Sequence, residues 1–412
     1  MIIFTNTYPY GNDETFLATE FPYLLVLQQP VTIAPLYGSG EMRAVSSTPQ
    51  APVTVSRPLL SFDPKDRGRL LFYGLFNCAP LFFAVRDFFA ERIWESRVKM
   101  WQFGTSFLLI RAILSKNRRF LSSCREHQLL YFYWGDKSAL ILPFIKKGGK
   151  AVVRFHGSDL YEEAKGFLPF RPRLFPAIDL ACPISRHGAD YLLQRYGALT
   201  PPISVSYLGS IDGGLGPVPE DRSVFHIVSC AHIIPLKRLH LIAEAVKWVR
   251  SRSEHLEIRW THIGDGPLRH QLEGCVDFCA SMPHEAVMAF YRQTAVDLFL
   301  STSRSEGVPV SMMEAMSFGI PVVATAVGGV PELVSDNVGC LLPQNPSVEE
   351  VAQRLLEFIA LPEDARAAKR RRARAAWEVG WSGEVNYRAF VANSFVSAFL
   401  FVSLIPLFSA VV

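Results

Sequence analysis

The chain has 412 residues, too many for one ordinary core and comfortable for two domains, and with 49% hydrophobic residues each domain can bury a sizeable interior. A net charge of +4 is too mild to demand nucleic acid, though it suits an anionic substrate or an acidic membrane surface. The seven cysteines (Cys78, Cys124, Cys182, Cys230, Cys275, Cys279 and Cys340) are odd in number and scattered. Even the nearest pair, Cys275 and Cys279, lacks zinc-site spacing, which predicts small buried hydrophobes in a reducing compartment.

The N-terminus, MIIFTNTYPYG, carries no basic segment ahead of a long apolar core, so no signal peptide is expected. Leu70 to Val85 is uncharged but short for a membrane span. Strand-length apolar runs bounded by turn residues follow: AVVRFHG (151–157), IDLACPIS (178–185), VFHIVSC (224–230), LEIRWTHIG (256–264), VDLFLS (296–301) and IPVVAT (320–325). Continuous apolar runs of this kind fit parallel strands covered on both faces. Between them, Leu239, Ile242, Ala243, Val246 and Val249 fall on one helical stripe, and Ser347 with Glu350 is a capping-box signature for a helix over 348–359. The alternation predicts an α/β chain of doubly wound domains with a ligand cleft between them.

Leu208 to Arg222 holds four glycines and two prolines without apolar periodicity, which is connector composition. The expected division is 1–208, a linker at 209–222, 223–388, and an apolar tail at 389–412. No charge follows Arg388, and the basic run KRRRAR (369–374) lies upstream. The tail is long enough to span a membrane with the body on the cytoplasmic side, and a helix packed on the protein body would look similar.

The chemistry concentrates in SRSEGVPVSMMEAMSFGIPVVATAVGG (303–329). A strand ends in a polar loop carrying Glu306, and a helix then begins near Pro309 and stops at Gly319. Eight residues at about 100° each return to nearly the same helix face, so Glu306 and Glu314, the latter read as two turns inside the helix, are expected on one wall. The amides of Gly307 and Val308 lie at the positive end of that helix, a ready anion site. Carboxylates for hydroxyls beside amides for phosphate suit a nucleotide-sugar. In SCAHIIPLKRLHLIAE (229–244), Lys237 and Arg238 stand at a helix mouth, where paired cations can bind a diphosphate. RFHGSDLY (154–161) follows a strand, where α/β folds place ligands.

Glu306-x7-Glu314, followed by a G-x-P-V-V-A-T strand and a G-G-x-P-E turn, resembles the family-four retaining GT-B glycosyltransferases. The resemblance implies two Rossmann-like domains with the active site in the cleft between them. It implies that Glu306 reaches the donor sugar, that Glu314 holds the ribose hydroxyls, and that His156 faces the sugar. Asp159 would then orient His156 or an acceptor hydroxyl. Lys237 matches the family's lysine, while His232 stands where an arginine is usual and Arg238 where a glycine is common. Either could supply the missing charge. Gly11, in a loop similar to the family's glycine loop, would let backbone approach phosphate or acceptor, and Gly264 matches a turn near the base pocket. No bound metal is expected, and no D-x-D-type site is visible.

The expectation is therefore a retaining hexosyltransferase taking a nucleotide-diphosphate sugar to a glycan or lipid-linked glycan. The pattern is similar to bacterial enzymes of surface-polysaccharide assembly, which implies a cytoplasmic protein, with peripheral or tail-mediated membrane contact. The rivals are an epimerase on the same fold and a non-catalytic sugar-nucleotide-binding partner.

Overall fold

A computed structural model describes residues 1–11, 14–60, 81–124, 129–219, 223–253, 255–272 and 274–396. Cys78, most of the Leu70–Val85 run and the tail beyond residue 396 lie outside the described residues. The chain divides into two units, Met1–Ser206 with Arg388–Val412, and Tyr207–Tyr387.

The first unit holds a parallel sheet of β1 (Ile2–Thr5), β2 (Val31–Pro35), β3 (Val53–Val55), β4 (Leu129–Phe132), β5 (Lys150–Phe155) and β6 (Leu180–Pro183). The second holds β7 (Val224–Cys230), β8 (Glu257–Ile263), β9 (Asp277–Cys279), β10 (Leu298–Ser301), β11 (Val322–Thr325) and β12 (Cys340–Leu342), also parallel. The orders are β3-β2-β1-β4-β5-β6 and β12-β11-β10-β7-β8-β9. Each sheet thus winds outward in both directions from one central pair, β1/β4 or β7/β10. Every residue of β1, β4 and β11 is buried, which is why these runs read as continuously apolar.

The principal helices are α1 (Thr15–Leu24), α2 (Leu81–Ala90), α3 (Arg97–Lys116), α4 (Arg186–Tyr196), α5 (Leu239–Arg250), α6 (His284–Gln293), α7 (Val310–Ser317), α8 (Val348–Ile359), α9 (Glu363–Gly380) and α10 (Gly383–Val391). The expected stripe on α5 is buried at all five positions. The Ser347/Glu350 capping box is formed in both directions at the start of α8. Gly319 follows α7 at φ +72, the left-handed geometry of a helix stop.

The Gly- and Pro-rich connector packs on the second unit. An added side-chain carbon at Gly209 would stand 2.5 Å from Gly383 backbone, and Gly216 donates to the Phe318 carbonyl at 3.1 Å. The basic run on α9 explains the packing. Arg370 donates to the carbonyls of Val296, Gly216 and Pro217, while Arg374 grips Asp212 and the Ser317 carbonyl. Lys369 donates to the carbonyls of Asp336 and Gly339. These cations act as struts within the second unit.

The start of the apolar tail is core. Phe390, Val391 and Phe395 are buried in the first unit beside Tyr131. Beneath them Arg154 and Glu20, both fully buried, form an ion pair, the Arg154 guanidinium stacks 4.2 Å over Phe390, and Lys150 donates to the Ser394 carbonyl at 2.8 Å. Among the described residues no helix is long and apolar enough to cross a membrane.

One buried histidine sets a pH limit on the second unit. His262 accepts from the Ser229 hydroxyl at Nδ1 (2.8 Å) and donates from Nε2 to the Ala231 carbonyl (3.0 Å), so the ring is neutral. Burial pushes its pKa down to about 4, below the ordinary 6.5. Its contribution is complete above pH 6.5 and is lost as pH falls toward 4, because the unfolded chain binds the proton first. That difference corresponds to about 3 kcal/mol at most. Chemical denaturation between pH 7 and 5 is expected to show falling stability, and His262→Gln should flatten that slope; an unchanged slope would refute the assignment.

Candidate functional site

In a doubly wound sheet the two central strands send their crossovers in opposite directions, leaving a crevice outside their carboxyl ends. In the second unit those ends are Cys230 and Ser301, and the loops that follow carry Lys237 and Glu306. Lys237 Nζ donates to Glu306 Oε1 at 2.6 Å, with the side chains 21% and 13% exposed. The fold therefore brings together two candidates that stand 69 positions apart. The pair is reachable from solvent yet shielded enough to matter electrostatically.

The loop around them is rigidly built. Gly328, at φ +53, lies so close that an added side-chain carbon would stand 1.8 Å from the Glu306 carbonyl. Gly329 donates to the Gly307 carbonyl at 2.8 Å. The amides of Gly307 and Val308, just ahead of α7, meet no protein acceptor among the described residues. Two backbone donors at a helix start are thus left open toward an anion.

Glu314 is the fifth residue of α7, so only part of the 306–314 interval is helical. The same-face argument does not apply, and the loop fold, not helix periodicity, sets where Glu306 stands. Glu314 is buried and accepts from His284 Nε2 at 2.8 Å. That hydrogen bond raises the His284 pKa against the opposing effect of burial. Burial pushes the neighbouring Cys230 thiol up to about 12, with Glu314 adding to the rise and Lys237 opposing it, so both charges bear on the end of β7.

Arg238 departs from expectation. Its Nε and Nη2 donate to the carbonyls of Thr302, Ser303 and Gln344, and its Nη1 to Asn345, with the residue only 7% exposed. It pins the Glu306 loop to the β7 loop and is not an open cation for a diphosphate. Its backbone is left-handed at φ +47, the conformation that makes glycine common there. His232 is exposed on the same loop. Gly264, at φ +142, allows the β8 end to pass the Ala231 carbonyl, which an added carbon would approach to 2.0 Å. Its role is packing of that loop.

The first unit has its own crevice, between β1 and β4. Glu14 there accepts from the amides of Asn6, Thr7 and Tyr8 and from the Trp134 indole. His156, after β5, stands among Trp134, Tyr133 and Phe16 with ring centroids 4.3, 4.8 and 5.7 Å away. It is buried, and both ring nitrogens lack a hydrogen-bond partner among the described residues. Asp159 is fully buried and braces the turn through the amides of His156 and Gly135, both at 2.7 Å, so it is closed to an acceptor hydroxyl. Burial pushes its carboxyl up, but the facing imidazole and these amides outweigh it and hold it below the usual range. Gly11, at φ +64, donates its amide to the Glu41 carbonyl at 3.0 Å, so that amide is occupied by the protein.

Glu14, Trp134 and His284 were not anticipated from the sequence. The contacts that join Glu14 to Trp134 and His284 to Glu314 span 120 and 30 positions, and no local spacing marks them.

Residues 218–375 match the family described as Glycosyl transferases group 1. A putative colanic acid biosynthesis glycosyltransferase, WcaL of Escherichia coli (strain K12), is 33% identical over 255 residues, 58% of this chain and 62% of that protein. The amylovoran biosynthesis glycosyltransferase AmsK of Erwinia amylovora is 29% identical over 62% of this chain and 66% of its own. The aligned part of the chain thus spans just under two thirds of these relatives. HepE from Anabaena, crystallised with UDP and glucose, superposes with a TM-score of 0.61 at 18% identity, covering 96% of this chain and 99% of that one. The fold is GT-B, with two Rossmann-like units.

The two neighbouring cations are expected to separate experimentally. Lys237→Met should leave thermal stability nearly unchanged, whereas Arg238→Met, which removes four hydrogen bonds, two of them to the carbonyls of buried Thr302 and Ser303, should cost on the order of 3 kcal/mol. Parallel denaturant titrations check this, and equal losses would contradict the strut assignment.

Proposed function

We propose that the protein is a retaining glycosyltransferase that moves a hexose from a nucleotide-diphosphate sugar to a glycan or lipid-linked glycan in cell-surface polysaccharide assembly. The observation that carries this reading is the Lys237–Glu306 pair at the crevice of the second unit, beside the amides of Gly307 and Val308. The named roles of WcaL and AmsK support the polysaccharide setting, and the UDP and glucose bound by HepE support a UDP-sugar donor.

In this reading Lys237 and the two amides hold the diphosphate and stabilise the charge it gains on leaving. Glu306 takes hydroxyls of the donor sugar and steadies its oxocarbenium-like centre, and Glu314, oriented by His284, holds the ribose. In the first unit His156 Nδ1 faces Asp159 Oδ2 at 3.8 Å, which leaves Nε2 for a substrate hydroxyl. The bond from the anomeric carbon to phosphate oxygen breaks as the bond to acceptor oxygen forms on the same face. The acceptor's proton passes to the leaving diphosphate. Lys237 and the helix-end amides supply the countercharge, so no bound metal is required.

Glu306→Gln keeps size and hydrogen-bonding capacity but removes the charge. It is expected to reduce release of nucleoside diphosphate from the donor by about 100-fold or more, with the melting temperature little changed. Near wild-type turnover would end the transferase mechanism, and donor binding without turnover in the wild type would favour a non-catalytic partner.

A further inference from the structure

Among the described residues, seventeen large apolar side chains stand exposed, and seven of them fall between positions 81 and 101. Single exposed apolar residues are ordinary, whereas a cluster containing two tryptophans signals a contact surface. On α2, Leu81, Val85 and Phe89 are spaced by four and form one stripe, 47%, 51% and 63% exposed. On α3, Val98 and Trp101 are spaced by three and are 62% and 74% exposed. The turn Ile93–Glu95 between them packs on both helices, and its Trp94 ring lies 5.6 Å from that of Phe89.

The outward presentation is held from behind. Ala84, Ile93 and Phe103 are buried, and Asp87 on the inner side of α2 accepts from Arg173 at 3.1 Å. The two helices cannot rotate their aromatics inward without breaking that ion pair and core. The exposed charged residues of the stretch are Arg86, Arg92, Arg97 and Glu95, and Arg92 already neutralises Glu95 at 3.3 Å. The surface is therefore aromatic and net cationic.

We propose that this face of the first unit docks on an anionic lipid surface, lying in the interface and not spanning it. Tryptophan and phenylalanine partition to the level of the headgroups, and arginines beside them reach lipid phosphates while their stems cover apolar surface. A lipid-linked acceptor would then be met at the membrane where it resides. Docking of this face is independent of the chemistry proposed above, which nucleoside diphosphate release from a soluble donor measures separately.

The test is sedimentation of the full chain with vesicles of phosphatidylcholine alone or mixed with phosphatidylglycerol. The wild type should bind the anionic vesicles, and less so as salt rises. Phe89→Ala with Trp101→Ala should weaken binding on the order of tenfold, with unchanged melting temperature. Arg86→Glu with Arg97→Glu should weaken it comparably while leaving the aromatics in place. No binding by the wild type, or binding that survives both double variants, would overturn the proposal. A dimer in solution that the aromatic variant dissolves would assign the face to a second copy. Trp101 fluorescence (wild type minus Trp101→Phe) that acrylamide fails to quench without vesicles would show the face already covered by the chain itself.

Discussion

An ammonium and a carboxylate from distant parts of the chain, Lys237 and Glu306, are held 2.6 Å apart where the sheet of the second unit changes winding direction. Two half-buried charges do not hold such a position on their own, because exposed ion pairs gain little against side-chain entropy. The second unit supplies the restraint. Gly328 and Gly329 clamp the Glu306 loop from one side, and Arg238 ties it to the neighbouring loop from the other. Beneath the Lys237 loop, neutral His262 joins Ser229 to Ala231. The open charge at this crevice depends on buried polar groups that face only the protein.

The same division recurs in the first unit. Glu14, Asp159 and Glu20 are buried acids, and each is spent on protein donors: loop amides for Glu14 and Asp159, Arg154 and Tyr131 for Glu20. A buried charge without such partners would be costly, so these residues fix loops and do not meet ligands. His156 is the contrast, a buried ring with no hydrogen-bond partner among the described residues for either nitrogen. A buried polar atom left unsatisfied by the protein is the feature that points to a substrate group.

Sheet and helix were legible because burial on both faces leaves a direct mark on composition. VFHIVSC became β7 residue for residue, and the capping box placed α8 from Val348 to Ile359. The Lys237 and Glu306 loops were legible because strand ends, glycines and a helix start lie in fixed order around them. What sequence did not reveal was which charges face inward. KRRRAR reads as a solvent or membrane face, yet Arg370 and Arg374 bond the connector and Lys369 bonds the carbonyls of Asp336 and Gly339. Arg238 and Lys237 are adjacent and chemically alike, yet Arg238, on a left-handed backbone, bonds loop carbonyls while Lys237 faces Glu306. The helical spacing assumed for Glu306 and Glu314 failed because α7 starts four residues after Glu306.

In the proposed reaction the crevice of the second unit holds a nucleotide-diphosphate sugar. The most direct measurement is the melting temperature of wild type and Glu314→Ala against UDP-, GDP- and ADP-sugars. A ligand at 100 times its dissociation constant stabilises the native state by about 2.7 kcal/mol. One donor is expected to raise the wild-type melting temperature, and Glu314→Ala to lose most of that rise. No shift with any of the three, or an equal shift in the variant, would contradict it.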